Sequence, residues 1–289
     1  MYFSENLFWA RMRPDDSWLN WVSTWVAYSL AGFVFLSLLA FFRVKSRWPL
    51  FLAGAAFGWL TEGVVVQTTY EALPLSISFT GLAWHALISV WVGWYAVRKA
   101  LFSADRLAAL KLAVIIGIGY GLWAISWWLE PDGGVATLSE FAVFSTTATG
   151  FFILAVWLAN WSAAEIFAPA RPVNIAVAVL FGLYFALVAV PAAPQAVVIL
   201  PVLLGLTAVG LWKYRARSEP GSLIDRLQGR IPPGRLFSLL AIPGAAVLLY
   251  ALAQNMGWQW QTNWVLYLIT TPLGLILYTL GLVKAWQGK

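Results

Sequence analysis

Nine apolar stretches of about 20 residues run through this chain, and its cations occupy every second gap between them. Sixteen of the eighteen Lys and Arg belong to this pattern: Arg43/Lys45/Arg47, Arg98/Lys99/Arg106/Lys111, Arg171, six between Lys213 and Arg235, then Lys284 and Lys289. The four intervening gaps hold none. A helix crossing a hydrocarbon core about 30 Å thick needs about 20 apolar residues at 1.5 Å each. Basic residues stay on the cytoplasmic side of such helices. The pattern predicts an all-α, polytopic integral membrane bundle with its N-terminus outside and its C-terminus cytoplasmic. Its spans are placed at about 21–42, 48–68, 82–101, 107–128, 140–160, 173–190, 195–212, 236–254 and 264–285. The pair around Pro191-Ala-Ala-Pro194 reads equally as one broken element. The expected membrane is the bacterial inner, or plasma, membrane.

Composition agrees, because 61% hydrophobic and 10% charged residues suit lipid and not water as the main solvent. The net charge of +6 is explained by topology, so no nucleic-acid partner is expected. The acids Glu5, Asp15, Asp16, Glu62, Glu71, Glu130, Asp132 and Glu140 lie on or near the opposite, outer side. With no cysteine, thiolate chemistry, cysteine-ligated metals and iron–sulfur clusters are excluded. A single histidine, His85, excludes bis-histidine haem, and no ligand spacing supports a metal site. Retinal would need a mid-span Lys, and none is present. No cofactor can be named.

Residues 1–20 alternate Phe3, Leu7, Phe8 and Met12 with Glu5, Arg11 and Arg13, which reads as an amphipathic helix on the outer interface. Residues 21–289 read as one transmembrane domain, with a basic cytoplasmic loop at 213–235 that rests on membrane lipids or receives a protein partner. Most of the nineteen tryptophans fall where spans meet water, as an aromatic belt does. The run Trp258-Gln-Trp260-Gln-Thr-Asn-Trp264 is denser than a belt requires and offers flat surfaces to a ligand.

Two glycine pairs, Gly54/Gly58 and Gly117/Gly121, are spaced for close helix approach. They predict that spans two and four cross each other, with Gly58 accepting Ala but not Leu. Pro201, Pro243 and Pro272 are expected to interrupt the last three spans.

Chemistry concentrates at Glu62, fifteen residues past Arg47 and so about 22 Å from the inner boundary. A carboxyl at that depth is costly and marks a functional site or a buried pair. It follows Gly54 and Gly58 at intervals of four, which points it into the packed seam. His85, read as three residues into span three with Ser89 one turn below, lies at a comparable depth. Neighbouring antiparallel spans can bring the carboxylate to the imidazole and orient its ring. Gln67, Tyr70, Glu71, Ser76, Ser78 and Trp84 are expected around the pair. Thr137-Leu-Ser-Glu140 reads as a capping box, Glu130-Pro-Asp-Gly-Gly134 as a solvated turn, and the hydroxyls of Ser145–Thr149 as partners of their own helix.

The stretch Glu62-Gly-Val…Tyr70…Pro74…Trp84 resembles an arrangement in polytopic carotenoid hydratases, where an acid near a helix end precedes a Tyr- and Pro-containing loop. That resemblance implies an isoprenoid substrate. Three functions follow from the residues. The first is an enzyme, or enzyme subunit, acting on a lipid or isoprenoid. There Glu62 and His85 are the acid/base pair, and Gln67, Tyr70, Glu71, Trp84, Ser89, Trp258 and Trp260 bind substrate. The second is a transporter or channel component with Glu62 as a proton or cation site. The third is a structural or assembly subunit of a membrane complex.

Overall fold

The computed structural model describes residues 1–13, 16–130, 135–161 and 167–289, and nine helices among them are long and apolar enough to cross a membrane. They are α1 (Trp18–Phe41), α2 (Arg47–Val65), α3 (Leu75–Phe102), α4 (Ala108–Leu129), α5 (Leu138–Ala159), α6 (Arg171–Ala192), α7 (Ala196–Arg215), α8 (Pro233–Asn255) and α9 (Thr262–Trp286). No strand occurs among the described residues. The region around Pro191–Pro194 is therefore two helices joined by a short turn. Pro201 and Pro272 lie inside continuous helices, so these two do not interrupt their spans as expected. Pro243 follows a 3-10 segment, Phe237–Leu240, and sits in the first turn of Ala241–Asn255, where a missing N–H costs least. The acids at 15, 132 and 165 and the turn at 131–134 lie outside the described residues.

Contacts gather into two units. The first comprises residues 1–18, 93–165 and 228–268. Its central contact is between α4 and α8: a Cβ on Gly117 would stand 2.4 Å from the Ile242 carbonyl oxygen, and one on Gly121 2.9 Å from that of Ala246. The N-terminal segment packs into this unit instead of forming an amphipathic helix. Only Asn6–Phe8 make a helical turn, while Tyr2, Phe3, Leu7 and Ala10 are buried. The reason is hydrogen bonding from α4. Trp123 and Trp127 donate their indole N–H groups to the Phe8 carbonyl at 2.7 and 2.8 Å, and Tyr120 donates to that of Trp9 at 2.8 Å. Tyr2 meets Thr149 at 2.7 Å, and Phe3 covers Gly93.

Glu140 closes the capping box with Thr137, and Ser145 and Thr149 donate to carbonyls one turn back in α5. Glu130 is tied down more than a solvated turn would be, because Asn263 donates to its carboxylate at 2.5 Å. Tyr250 joins two more pieces by accepting from Trp128 and donating to the Ala136 carbonyl.

The second unit comprises residues 19–92, 166–227 and 269–289, with α2 at its centre. Some 78% of the apolar window of α2 is buried, against 22% for α1 and for α9. Gly54 and Gly58 face α3 and not α4: a Cβ on Gly54 would meet Ala86 and Val90, and one on Gly58 would stand 2.2 Å from the Gly81 carbonyl oxygen. The expected crossing of spans two and four through these glycines is thus replaced by two separate seams, α2–α3 and α4–α8. Small residues four apart announce a close approach but carry nothing that selects the partner. On the other side of α2, Leu52 packs against Gly210 of α7 and Gly281 of α9, and Trp59 meets Tyr278 edge to face at 5.1 Å.

Candidate functional site

Both helices of the α2–α3 seam carry a π-helical stretch, Thr61–Val65 in α2 and Phe79–Ala96 in α3. Such i→i+5 turns are rare and recur at functional sites. Each carries one of the two residues singled out above. Because α3 begins at Leu75, His85 lies ten residues into its helix and not three. The polar run Leu75–Ser78 can be helical because Ser76 and Ser78 donate to the carbonyls of Thr69 and Thr271 at 2.7 and 2.5 Å. Likewise α2 stops at Val65, which leaves Glu62 within its last turn.

The chain leaves α2 at Gln67, which adopts the left-handed region with φ 67°. Its side-chain amide donates to the carbonyls of Val64 and Val65 at 2.6 and 2.9 Å, satisfying acceptors that the helix end would otherwise leave bare. The loop then folds back over the helix. Tyr70, buried, donates to the Gly63 carbonyl at 2.9 Å, and burial pushes its phenol up to about 12, so it stays protonated and donating near neutral pH. Thr68 donates through a very short hydrogen bond to Oε2 of Glu62.

His85 Nε2 lies 2.6 Å from Oε1 of Glu62. The imidazole is 1% exposed and the carboxylate 12%. Phe57 meets the ring edge to face at 5.5 Å, and Tyr28 of α1 lies 6.1 Å away, so two aromatic groups pack against the ring. On the far side of the imidazole, Nδ1 is 3.5 Å from Ser89 Oγ, which also approaches the Trp84 carbonyl at 3.3 Å. The Cβ of His85 is itself wedged against Gly58, where an added methyl would stand 2.9 Å from it. The groups thus line up as Thr68, Glu62, His85 and Ser89, each side chain touching the next. In the neutral ring with Nε2–H donating to the carboxylate, Nδ1 accepts on the serine side, whereas in the imidazolium both nitrogens donate.

Of the other residues expected here, Gln67 and Tyr70 support the backbone around Glu62, and Trp84 is buried with its carbonyl toward Ser89. Ser76 and Ser78 bond to backbone elsewhere, and Glu71 is exposed. Trp258 and Trp260 stack face to face at 4.4 Å and belong to the first unit, whereas the pair belongs to the second. Sequence reasoning missed Thr68, Tyr28 and Phe57. For Thr68 a signal existed, since a hydroxyl six residues past a helix-ending acid reaches back once the chain reverses. No group of three or more metal-binding side chains forms among the described residues. No protein-family model, curated protein or solved structure matches the chain.

Proposed function

We propose that this multi-pass membrane protein is built around a proton-exchanging pair, Glu62 and His85, and works as a carrier or channel component that takes up protons there. One observation carries the reading: both carboxylate oxygens and both ring nitrogens meet side chains of the protein itself, and the ring is almost fully enclosed. A lipid cannot touch such a ring, but a proton can reach it through Thr68 and Glu62. Imidazole and carboxylate are also the side chains able to exchange protons near neutral pH. Buried ionisable groups within spans mark ion and proton paths, which suits this placement.

The remaining 12% exposure of Glu62 favours a second reading. In it the carboxyl acts as acid or base on a hydrophobic lipid or isoprenoid that reaches it beside Val66, which is 51% exposed. Proteoliposomes separate the two. With a pH-sensitive dye inside and an acid jump outside, the wild-type protein is expected to acidify the lumen and Glu62→Gln to leave it at the rate of empty vesicles. Equal flux from both would overturn the carrier reading. Conversion of an added isoprenoid without flux would install the enzyme in its place.

A further inference from the structure

Where α1 gives way to α2, the chain turns through Arg43, a non-glycine residue in the left-handed region with φ 55°. That conformation is uncommon for a branched-out side chain and persists only where surroundings hold it. Here they do. The Val44 N–H bonds back to the Leu39 carbonyl, and the Val44 carbonyl accepts from the Leu223 N–H at 2.7 Å, so the turn is clamped from both sides. Arg43 lines a cleft within the second unit, together with the apolar Ala40 and Phe167 and with Gly221, Ser222 and Asp225.

Arg43 and Asp225 line the same cleft, yet no ion pair joins them among the described residues. Each is held by other bonds. The guanidinium donates weakly to the Ser218 carbonyl at 3.4 Å, while Oδ2 of Asp225 accepts from Ser222 N–H at 2.6 Å in a capping box. Lys45 lies beside Gly221, but its ammonium is 4.0 Å from the Glu219 carboxylate, so Arg43 is the cation of the cleft lining. The cleft lining therefore carries one cation, one anion and apolar groups at the end of a membrane-spanning helix.

We infer that this cleft binds the phosphoethanolamine headgroup of a membrane phospholipid. A guanidinium pairs with phosphate through two parallel N–H donors, and a carboxylate accepts hydrogen bonds from a primary ammonium. A glycerol headgroup offers Asp225 only neutral hydroxyls in place of a charged donor, and a choline headgroup has nothing to donate to it. The apolar lining from Ala40 and Phe167 suits the first carbons of the acyl chains.

Native mass spectrometry of the full chain in detergent tests this, with phosphatidylethanolamine, phosphatidylglycerol and phosphatidylcholine added singly at equal concentration. The wild-type protein is expected to retain phosphatidylethanolamine about tenfold better than either of the others, the ratio that 1.4 kcal/mol gives. Arg43→Gly, which keeps the turn because glycine adopts positive φ readily, should lose that lipid. Asp225→Asn keeps an acceptor for Ser222 and should bring phosphatidylethanolamine down to the level of phosphatidylcholine. Lys213→Ala, which removes an exposed cation outside the cleft, should change nothing. Equal retention of phosphatidylglycerol, or an Arg43→Gly variant that still holds phosphatidylethanolamine, would overturn the assignment. Displacement of the lipid by an equal concentration of soluble phosphoethanolamine would also overturn it, by making the ligand a free metabolite.

Discussion

At the scale of single residues, a carboxylate lies 2.6 Å from the one histidine in the chain, with a threonine hydroxyl beyond the first and a serine hydroxyl beyond the second. Residues that act as one unit lose function together, so Glu62→Gln and His85→Ala should each lower proton uptake by roughly a hundredfold. The double variant should be little worse than either single one. Additive losses in that cycle would separate the two side chains functionally. Thr68→Val keeps shape and removes the hydroxyl; it should slow uptake without disturbing the Glu62–His85 contact, which an unchanged melting temperature would check. Glu62 and His85 were legible in the sequence because ionisable groups within apolar runs are few and costly. Tyr28 and Phe57 were not, since an aromatic residue in a span looks the same whether it packs on an imidazole or on lipid.

Among the helices, two glycines of one kind separate into opposite expectations. Gly58 has no room for a methyl, which would stand 2.2 Å from a backbone oxygen of α3, so even Gly58→Ala should destabilise, by about 1–3 kcal/mol. The sequence had suggested that alanine would be accepted there, because spacing reveals proximity but not the ångströms available. Gly119 has nothing within 4 Å, so Gly119→Ala should be neutral or stabilising by up to about 1 kcal/mol. Thermal melts of the two variants in one detergent check both, and a Gly58→Ala variant as stable as the wild type would remove the α2–α3 seam. The nine apolar runs were readable in advance because length and hydropathy alone decide which segments can cross lipid. The helix ends were less so. The start of α3 at Leu75 lies outside the apolar run, in a stretch where Ser78 finds its partner, the Thr271 carbonyl, far along the chain.

For the molecule as a whole, the alternating cations imply that the loops at 66–74 and 256–261 share one side and the connection at 216–232 the other. The cysteine-free chain allows single cysteines at exposed positions to report this: Glu71→Cys and Gln259→Cys should react with an impermeant maleimide from the same side, and Glu219→Cys from the opposite one. Ser78 and Ser222 would be poor reporters, since both are buried. Labelling of Glu219→Cys from the same side as Glu71→Cys would contradict the nine-span topology. The same sparseness of composition makes the site visible in the intact protein, because one histidine means that every imidazole signal comes from His85. Nitrogen-15 NMR of histidine-labelled protein in bilayers is therefore the most direct test of the pair. The expected result is a ring Nε2 resonance that moves in Glu62→Gln and an Nδ1 resonance that moves in Ser89→Ala. Ring resonances in Glu62→Gln that overlay those of the wild type would contradict the pairing.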